Sequence, residues 1–425
     1  MSLANGMHYL AIPGPSVTPD RVLNAMHRQS PNIYEGELHE IVDGLKPDLK
    51  AVARTEHNVA MYISNGHGAW EAALANTLNR GDKVLSLATG LFAHAWSELA
   101  EAIGVEVERI DFGRRSQVDL AQVEDALTSD TEHKIKAVLA VQVDTSTSVK
   151  NDIAGLRAAL DRAGHPALLM ADCIACLACD PMEMDGWGVD VLVTGSQKGL
   201  MTPPGLSFVF FNDRAKAARD QAEFVPRYWD WRPRTEPQVF YQQFCGTAPT
   251  HHIYGLREAL DMIHEEGIEA VWARHHKLAR AVWAAAEAWG EGGPLELNIA
   301  DPAYRSWAVT SVRIGAPDGT RLRKWVAERA GVTLGIGLGM ADDADPRSDG
   351  FFRIGHMGHV NAQMVMGALG SIGAGLKALD IPHGQGGSKP RRPFLPRPRA
   401  RSIRSLGAVP PLLAAPRRFA QPRRR

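Results

Sequence analysis

Lys198 stands in Ser196-Gln197-Lys198-Gly199, directly after the apolar run Val189-Asp190-Val191-Leu192-Val193-Thr194-Gly195. An amine held at the end of a buried strand, between small residues and beside an amide, is placed to condense with the aldehyde of a cofactor. Asp172 closes a second apolar run, Ala167-Leu168-Leu169-Met170-Ala171. A carboxylate desolvated there without a partner would cost roughly 3–5 kcal/mol, so something cationic must meet it. A protonated pyridine nitrogen would do so, and the ionised ring then stabilises a carbanion.

Gly66 and Gly68 flank His67 just before Ala69-Trp70-Glu71-Ala72-Ala73-Leu74, a strong helix-forming run. Glycines permit a sharp entry, and first-turn N–H groups with the positive end of the helix dipole bind an anion such as phosphate. Phe92, in Thr89-Gly90-Leu91-Phe92, follows a strand and can stack on a planar ring. Arg353, in Arg353-Ile354-Gly355-His356, sits near a strand end far downstream, where its planar fork can clamp a carboxylate. Each piece alone has an ordinary reading: a solvated lysine, a plain helix start, a capping aspartate, a core phenylalanine, a surface ion pair. Together they supply a phosphate cradle, an acid for a ring nitrogen, an amine and a carboxylate clamp, which reads as a site for pyridoxal 5'-phosphate.

Two other patterns carry less. Cys173, Cys176 and Cys179 have iron–sulfur spacing, but a cluster needs a fourth thiolate and Cys245 lies in a different context, so no metal is expected. His356 and His359 lack the glutamate and helix of a zinc protease and read as structural or substrate-facing.

These residues need a frame. Short apolar runs alternate with amphipathic stretches from about residue 58 to 212: strands are expected at 84–88, 105–110, 137–141, 167–171, 189–193 and 206–211, with helices at 92–103 and 153–163. That alternation predicts an α/β fold, a mostly parallel sheet with helices on both faces and its site at the strand ends. After about residue 250 long helices take over, through Val271 to Trp289, and a smaller α+β unit follows with strands near 308–314 and 351–354. We divide the chain into an N-terminal segment beside the cleft (1–20), a large domain (21–270), a small C-terminal domain (271–384) and a tail (385–425). The start through Pro13-Gly14-Pro15 is too rich in Pro for a helix and is expected along the surface of a cleft.

Four Cys in 425 residues are too few for a disulfide scaffold, no run approaches a membrane span, and Met1-Ser2-Leu3-Ala4-Asn5-Gly6 has no signal-peptide character, so a cytoplasmic protein is expected. The formal net charge of -1 hides an asymmetry: the tail from residue 385 holds twelve basic residues and no acid, leaving 35 basic against 48 acidic residues in the body. The tail is expected to be disordered. Its basic residues are accompanied only by Phe394 and Phe419, too few aromatics to stack bases, which argues against nucleic acid as a partner.

From residue 8 to about 380 the chain resembles the class V aminotransferases, in particular the alanine/serine–glyoxylate group. The resemblance is carried by Pro13-Gly14-Pro15, Asn65-Gly66-His67-Gly68, Asp172, Gly195-Ser196-Gln197-Lys198-Gly199, Pro203-Pro204-Gly205-Leu206 and Phe352-Arg353-Ile354-Gly355-His356. It implies a type I pyridoxal-phosphate fold and a homodimer whose sites draw on both subunits. By the same likeness Lys198 is the cofactor lysine, Asp172 the pyridine partner and Phe92 the stacking ring. Thr145 lies near the ring hydroxyl, Gly66, His67 and Gln197 hold phosphate with Thr247 of the second subunit, and Arg353 binds substrate carboxylate. Trp229-Asp230-Trp231 and Tyr254 to Leu260 are similar to stretches of bacterial serine–glyoxylate enzymes, which favours serine; alanine is the other expected donor and glyoxylate, or a similar small 2-oxo acid, the acceptor. Departures are Ser148 where a Gly usually follows Thr147, Cys173-Ile174-Ala175 after Asp172, and Cys245-Gly246 where a Tyr usually precedes the intersubunit Thr. The rival readings are a pyridoxamine–pyruvate aminotransferase, similar around Arg353 to Gly358, and a desulfurase-like lyase, which would need a Cys beyond Cys245.

Overall fold

A computed structural model describes residues 2–342 and 344–385. The tail's expected disorder falls on residues outside this range, Gln385 excepted. Twelve strands are β1 (Tyr9–Ala11), β2 (Asn58–Tyr62), β3 (Lys83–Ala88), β4 (Glu106–Asp111), β5 (Ile135–Val141), β6 (Leu168–Asp172), β7 (Val191–Gly195), β8 (Ser207–Phe211), β9 (Glu296–Leu297), β10 (Val309–Arg313), β11 (Val332–Ile336) and β12 (Phe351–Gly355).

The larger sheet has the order β2-β8-β7-β6-β5-β3-β4. Strands β7, β6, β5, β3 and β4 are parallel, whereas β8 is antiparallel to both of its neighbours, β7 and the edge strand β2. Every residue of β6, β7 and β8 is buried, as expected where helices cover both faces and each strand is apolar throughout. Side chains alternate strictly between two cores: Leu169, Ala171 and Leu192 join one, and Leu168, Met170, Val191 and Val193 the other. Asp172 has the parity of Leu168 and Met170, so it faces the core that contains Trp70.

The second sheet, β1-β11-β12-β10-β9, is antiparallel except for the β1–β11 pair. Its own core joins Val312, Leu334, Phe352 and Ile354 to Leu278, Val282, Trp289, Leu369 and Ile372 of the helices Ile268–Gly290 and Ala362–Ala378. Phe352 and Ile354 face that core, so Arg353 between them faces the other way.

The six strands expected between residues 84 and 211 are present with ends displaced by one or two residues, and both expected helices form as Leu91–Ala102 and Ile153–Arg162. In the N-terminal segment Gly14 and Pro15 border a cavity, while Ala11, Pro13 and Ser16 are buried because β1 adds to the second sheet beside β11.

Candidate active site

At the carboxyl ends of β6 and β7, Gly14, Gly66, His67, Phe92, Thr145, Asp172, Gln197 and Lys198 line one cavity of about 220 Å³. These residues, scattered over nearly two hundred positions, are brought together by the rule that parallel strands present their ends and following loops to one edge.

Asp172 is 3% exposed. Its Oδ1 accepts from the Ile174 N–H at 2.7 Å and its Oδ2 from the Trp70 indole N–H at 3.0 Å. Burial pushes its carboxyl up to about 7, with the two donors and nearby Lys198 pulling the other way. A carboxyl so poised readily shares a proton with a basic ring nitrogen.

Lys198 follows β7 in a tight turn in which Ser196 N–H donates to Leu206 O and Thr202 N–H to Ser196 O, both at 3.0 Å. Gly199 completes it: a Cβ there would overlap the Leu177 carbonyl and press on the Cys179 sulfur, so no larger residue fits after the lysine. The Lys198 amine donates to the Pro13 carbonyl. Burial, then the Arg353 guanidinium, bring its pKa down to about 8. A deprotonated, nucleophilic amine is thereby accessible near neutral pH.

The helix Gly66–Thr77 begins at Asn65, whose side chain accepts from the His67 and Gly68 N–H groups. A Cβ on Gly66 would meet the tip of the Ile174 side chain, so this helix start packs closely on the turn after Asp172. His67 lies on the cavity wall against Trp70, and partial burial lowers its pKa, favouring neutral imidazole. Gln197 Oε1 is buried without a hydrogen-bond partner. The two ends of an amide are interchangeable by a flip, so this side chain can equally aim its NH2 at an anion. An orphaned amide beside a helix start fits a phosphate group, and Phe92 on the wall fits a flat ring.

Arg353 is 6% exposed. Its Nε donates to Ile336 O at 2.7 Å and its Nη1 to Thr145 O at 2.9 Å, while Nη2 has no hydrogen-bond partner among the described residues. Burial lowers its pKa to about 10, leaving it charged. Thr247 is exposed and stands outside the cavity lining.

Three contributors escape a reading of the sequence. Trp70 was legible only as a helix residue, Pro13 only as part of a turn, and Asp144 not at all. Buried Asp144 accepts from the Phe92 and Ser146 N–H groups, both at 2.9 Å, and so anchors the helix carrying Phe92. The three clustered cysteines are wholly buried; Cys176 Sγ lies 3.1 Å from Gln142 Oε1 and burial pushes the Cys179 thiol up to about 12. His356 bonds Thr310 and the Trp307 carbonyl, a structural role.

Lys198 and Asp172 line one cavity at the strand ends, and Arg353, outside that lining, touches it through Thr145; the arrangement fits a pyridoxal-phosphate-dependent transferase. The family model of aminotransferase class-V matches residues 8–341. The chain belongs to the class-V aminotransferases, is a transaminase, and uses pyridoxal 5'-phosphate. It is 36% identical to the serine–glyoxylate aminotransferase of Methylorubrum extorquens, over 88% of this chain and 92% of that protein. It is also 36% identical to the L-aspartate–glyoxylate aminotransferase of Paracoccus denitrificans, over 86% and 94%. The crystal structure of pyridoxamine–pyruvate aminotransferase from Mesorhizobium loti superposes with a TM-score of 0.79 and 25% identity, over 91% and 97% of the two chains. Among the described residues no helix is long and apolar enough to cross a membrane.

Proposed function

We propose that this aminotransferase moves the amino group of serine or alanine to glyoxylate or a similarly small 2-oxo acid. The observation that carries the reading is the Lys198 amine, buried and tuned to about 8, in one small cavity with Asp172 and within the field of Arg353. The likeness to serine–glyoxylate and L-aspartate–glyoxylate aminotransferases, at 36% identity over most of the chain, supports glyoxylate as acceptor.

Pyridoxal phosphate, when bound, supplies an aldehyde and an electron sink. In our reading the helix start at Gly66 and His67, together with Gln197, holds its phosphate; Phe92 covers one ring face; Thr145 flanks the ring hydroxyl. Asp172 keeps the ring nitrogen protonated. Lys198 Nζ would take the proton from the substrate's α-carbon and hand it to the carbon on the other side of the amino nitrogen, the one that the cofactor's aldehyde supplies. Arg353, pinned by two backbone carbonyls, offers Nη2 and Nη1 to the substrate carboxylate, so both amino and oxo acids bind in one orientation. Thr247, exposed in one chain, would reach the phosphate of a second subunit in a homodimer. A division near residue 270 would let the unit that carries Arg353 close over the cofactor. Four free thiols suit a reducing compartment, and we place the enzyme in the cytoplasm.

The test is a panel of amino donors, with pyridoxamine included, against glyoxylate and pyruvate, read by product formation. Serine or alanine with glyoxylate should be turned over fastest. Faster turnover of pyridoxamine with pyruvate would replace this reading by its rival.

A further inference from the structure

We infer that Trp70 is a positioning residue, its indole N–H holding Asp172 as the carboxylate that the ring nitrogen needs. This rests on the reading of Asp172 as the ring-nitrogen partner. The bond joins Nε1 to Oδ2 at 3.0 Å between side chains that are 1% and 3% exposed. Trp70 has little freedom to turn away: it stacks on Trp96 at 5.9 Å, meets Phe92 edge-on at 6.4 Å and packs on His67 at 4.6 Å.

The chemistry follows from what surrounds Asp172. Burial favours the neutral acid, and so does buried Asp144; the Ile174 N–H, the Trp70 N–H and Lys198 favour the anion, and Cys173 and Cys176 lie close enough to feel its charge. The Ile174 N–H belongs to the turn's backbone. Lys198 changes its bonding and its charge in the course of each turnover. Trp70 is therefore the side-chain donor whose support for the anion persists throughout. Trp96 makes a natural comparison, since it shares the stack but its own Nε1 is buried without a partner.

The test uses the full chain stripped of cofactor and titrated with pyridoxal 5'-phosphate from pH 6 to pH 9. In the wild type, affinity should fall as pH drops through about 7, where Asp172 takes up its proton. In Trp70→Phe that fall should begin about one pH unit higher, so binding is about tenfold weaker near pH 7 yet nearly unchanged at pH 9. Trp96→Phe should keep the wild-type profile. An unshifted profile in Trp70→Phe, or an equal shift in Trp96→Phe, overturns the proposal. No fall at all in the wild type overturns the reading of Asp172 itself. Indole Nε1–H signals of 15N-tryptophan-labelled wild type need no folded variant: one of the ten should move with pH through about 7, and none moving counts against the bond.

Discussion

Arg353 Nη1 donates to the carbonyl of Thr145 at 2.9 Å, tying the second sheet to the loop after β5. The guanidinium is thus held by backbone on one side, and in the proposed function its remaining edge faces substrate. Arg353→Lys replaces a planar fork with a point charge. It should weaken amino-acid and oxo-acid binding alike, by roughly 1.5–3 kcal/mol, about ten- to a hundredfold. Cofactor affinity should change little, because the proposed phosphate ligands lie elsewhere. Michaelis constants beside a cofactor titration check this; a variant that loses cofactor but keeps its Michaelis constants removes Arg353 as the clamp.

Asp172→Asn offers one acceptor to two inward-pointing N–H donors, those of Trp70 and Ile174. One donor is left unpaired or opposes the amide NH2, at a cost of about 1–3 kcal/mol to the apoprotein. The neutral amide also cannot keep a ring nitrogen protonated. Transamination should drop by orders of magnitude with cofactor still bound, as measured by single-turnover rates and bound absorbance. A near-wild-type rate takes the role from Asp172.

Lys198 and Asp172 were legible because each is a polar residue at the end of an apolar run; Arg353, expected near a strand end, stands in the middle of β12, where strand parity sets the face it uses. Trp70 and Pro13 were not legible as site residues, for different physical reasons. The helix run around Trp70 looks like any apolar helix, and only the parity of Asp172 across the sheet reveals what the indole meets. Pro13 reaches Lys198 because β1 pairs with β11; three residues beside prolines show no periodicity, and β11, Val332-Thr333-Leu334-Gly335-Ile336, is interrupted by glycine. Thr247 remains a matter for the assembly, since its proposed partner atoms belong to another chain.

Ser148, which departs from the expected Gly, has φ +63°, a left-handed conformation that suits glycine. Its hydroxyl repays this in part by accepting from the Ser311 N–H at 3.1 Å, linking the loop after β5 to β10. Ser148→Ala keeps the strain and loses the bond, whereas Ser148→Gly loses the bond and relieves the strain. The Gly variant should therefore be the more stable of the two by about 1 kcal/mol. Urea unfolding of both, with equal slopes, checks the order; a more stable Ala variant would mean that the backbone relaxes there at no cost.

Lys198 gives a prediction that needs no cofactor. In the folded chain the amine loses its proton near pH 8, against 10.5 for an ordinary lysine, so between those values the unfolded chain holds more protons. Stability of the apoprotein should therefore rise with pH across this window, and the penalty for burying the charge is fully present below about pH 8. Lys198→Met removes the charge with similar bulk. At pH 7 it should stabilise the apoprotein by on the order of 2–3 kcal/mol, less whatever the bond to Pro13 contributes. That advantage should shrink as pH climbs toward 10.5. Chemical denaturation at pH 7, 8.5 and 10 measures it directly. A variant no more stable at pH 7 than the wild type, with no convergence at high pH, would mean that the buried amine is not under electrostatic stress, and its readiness to act as a neutral base would need another cause.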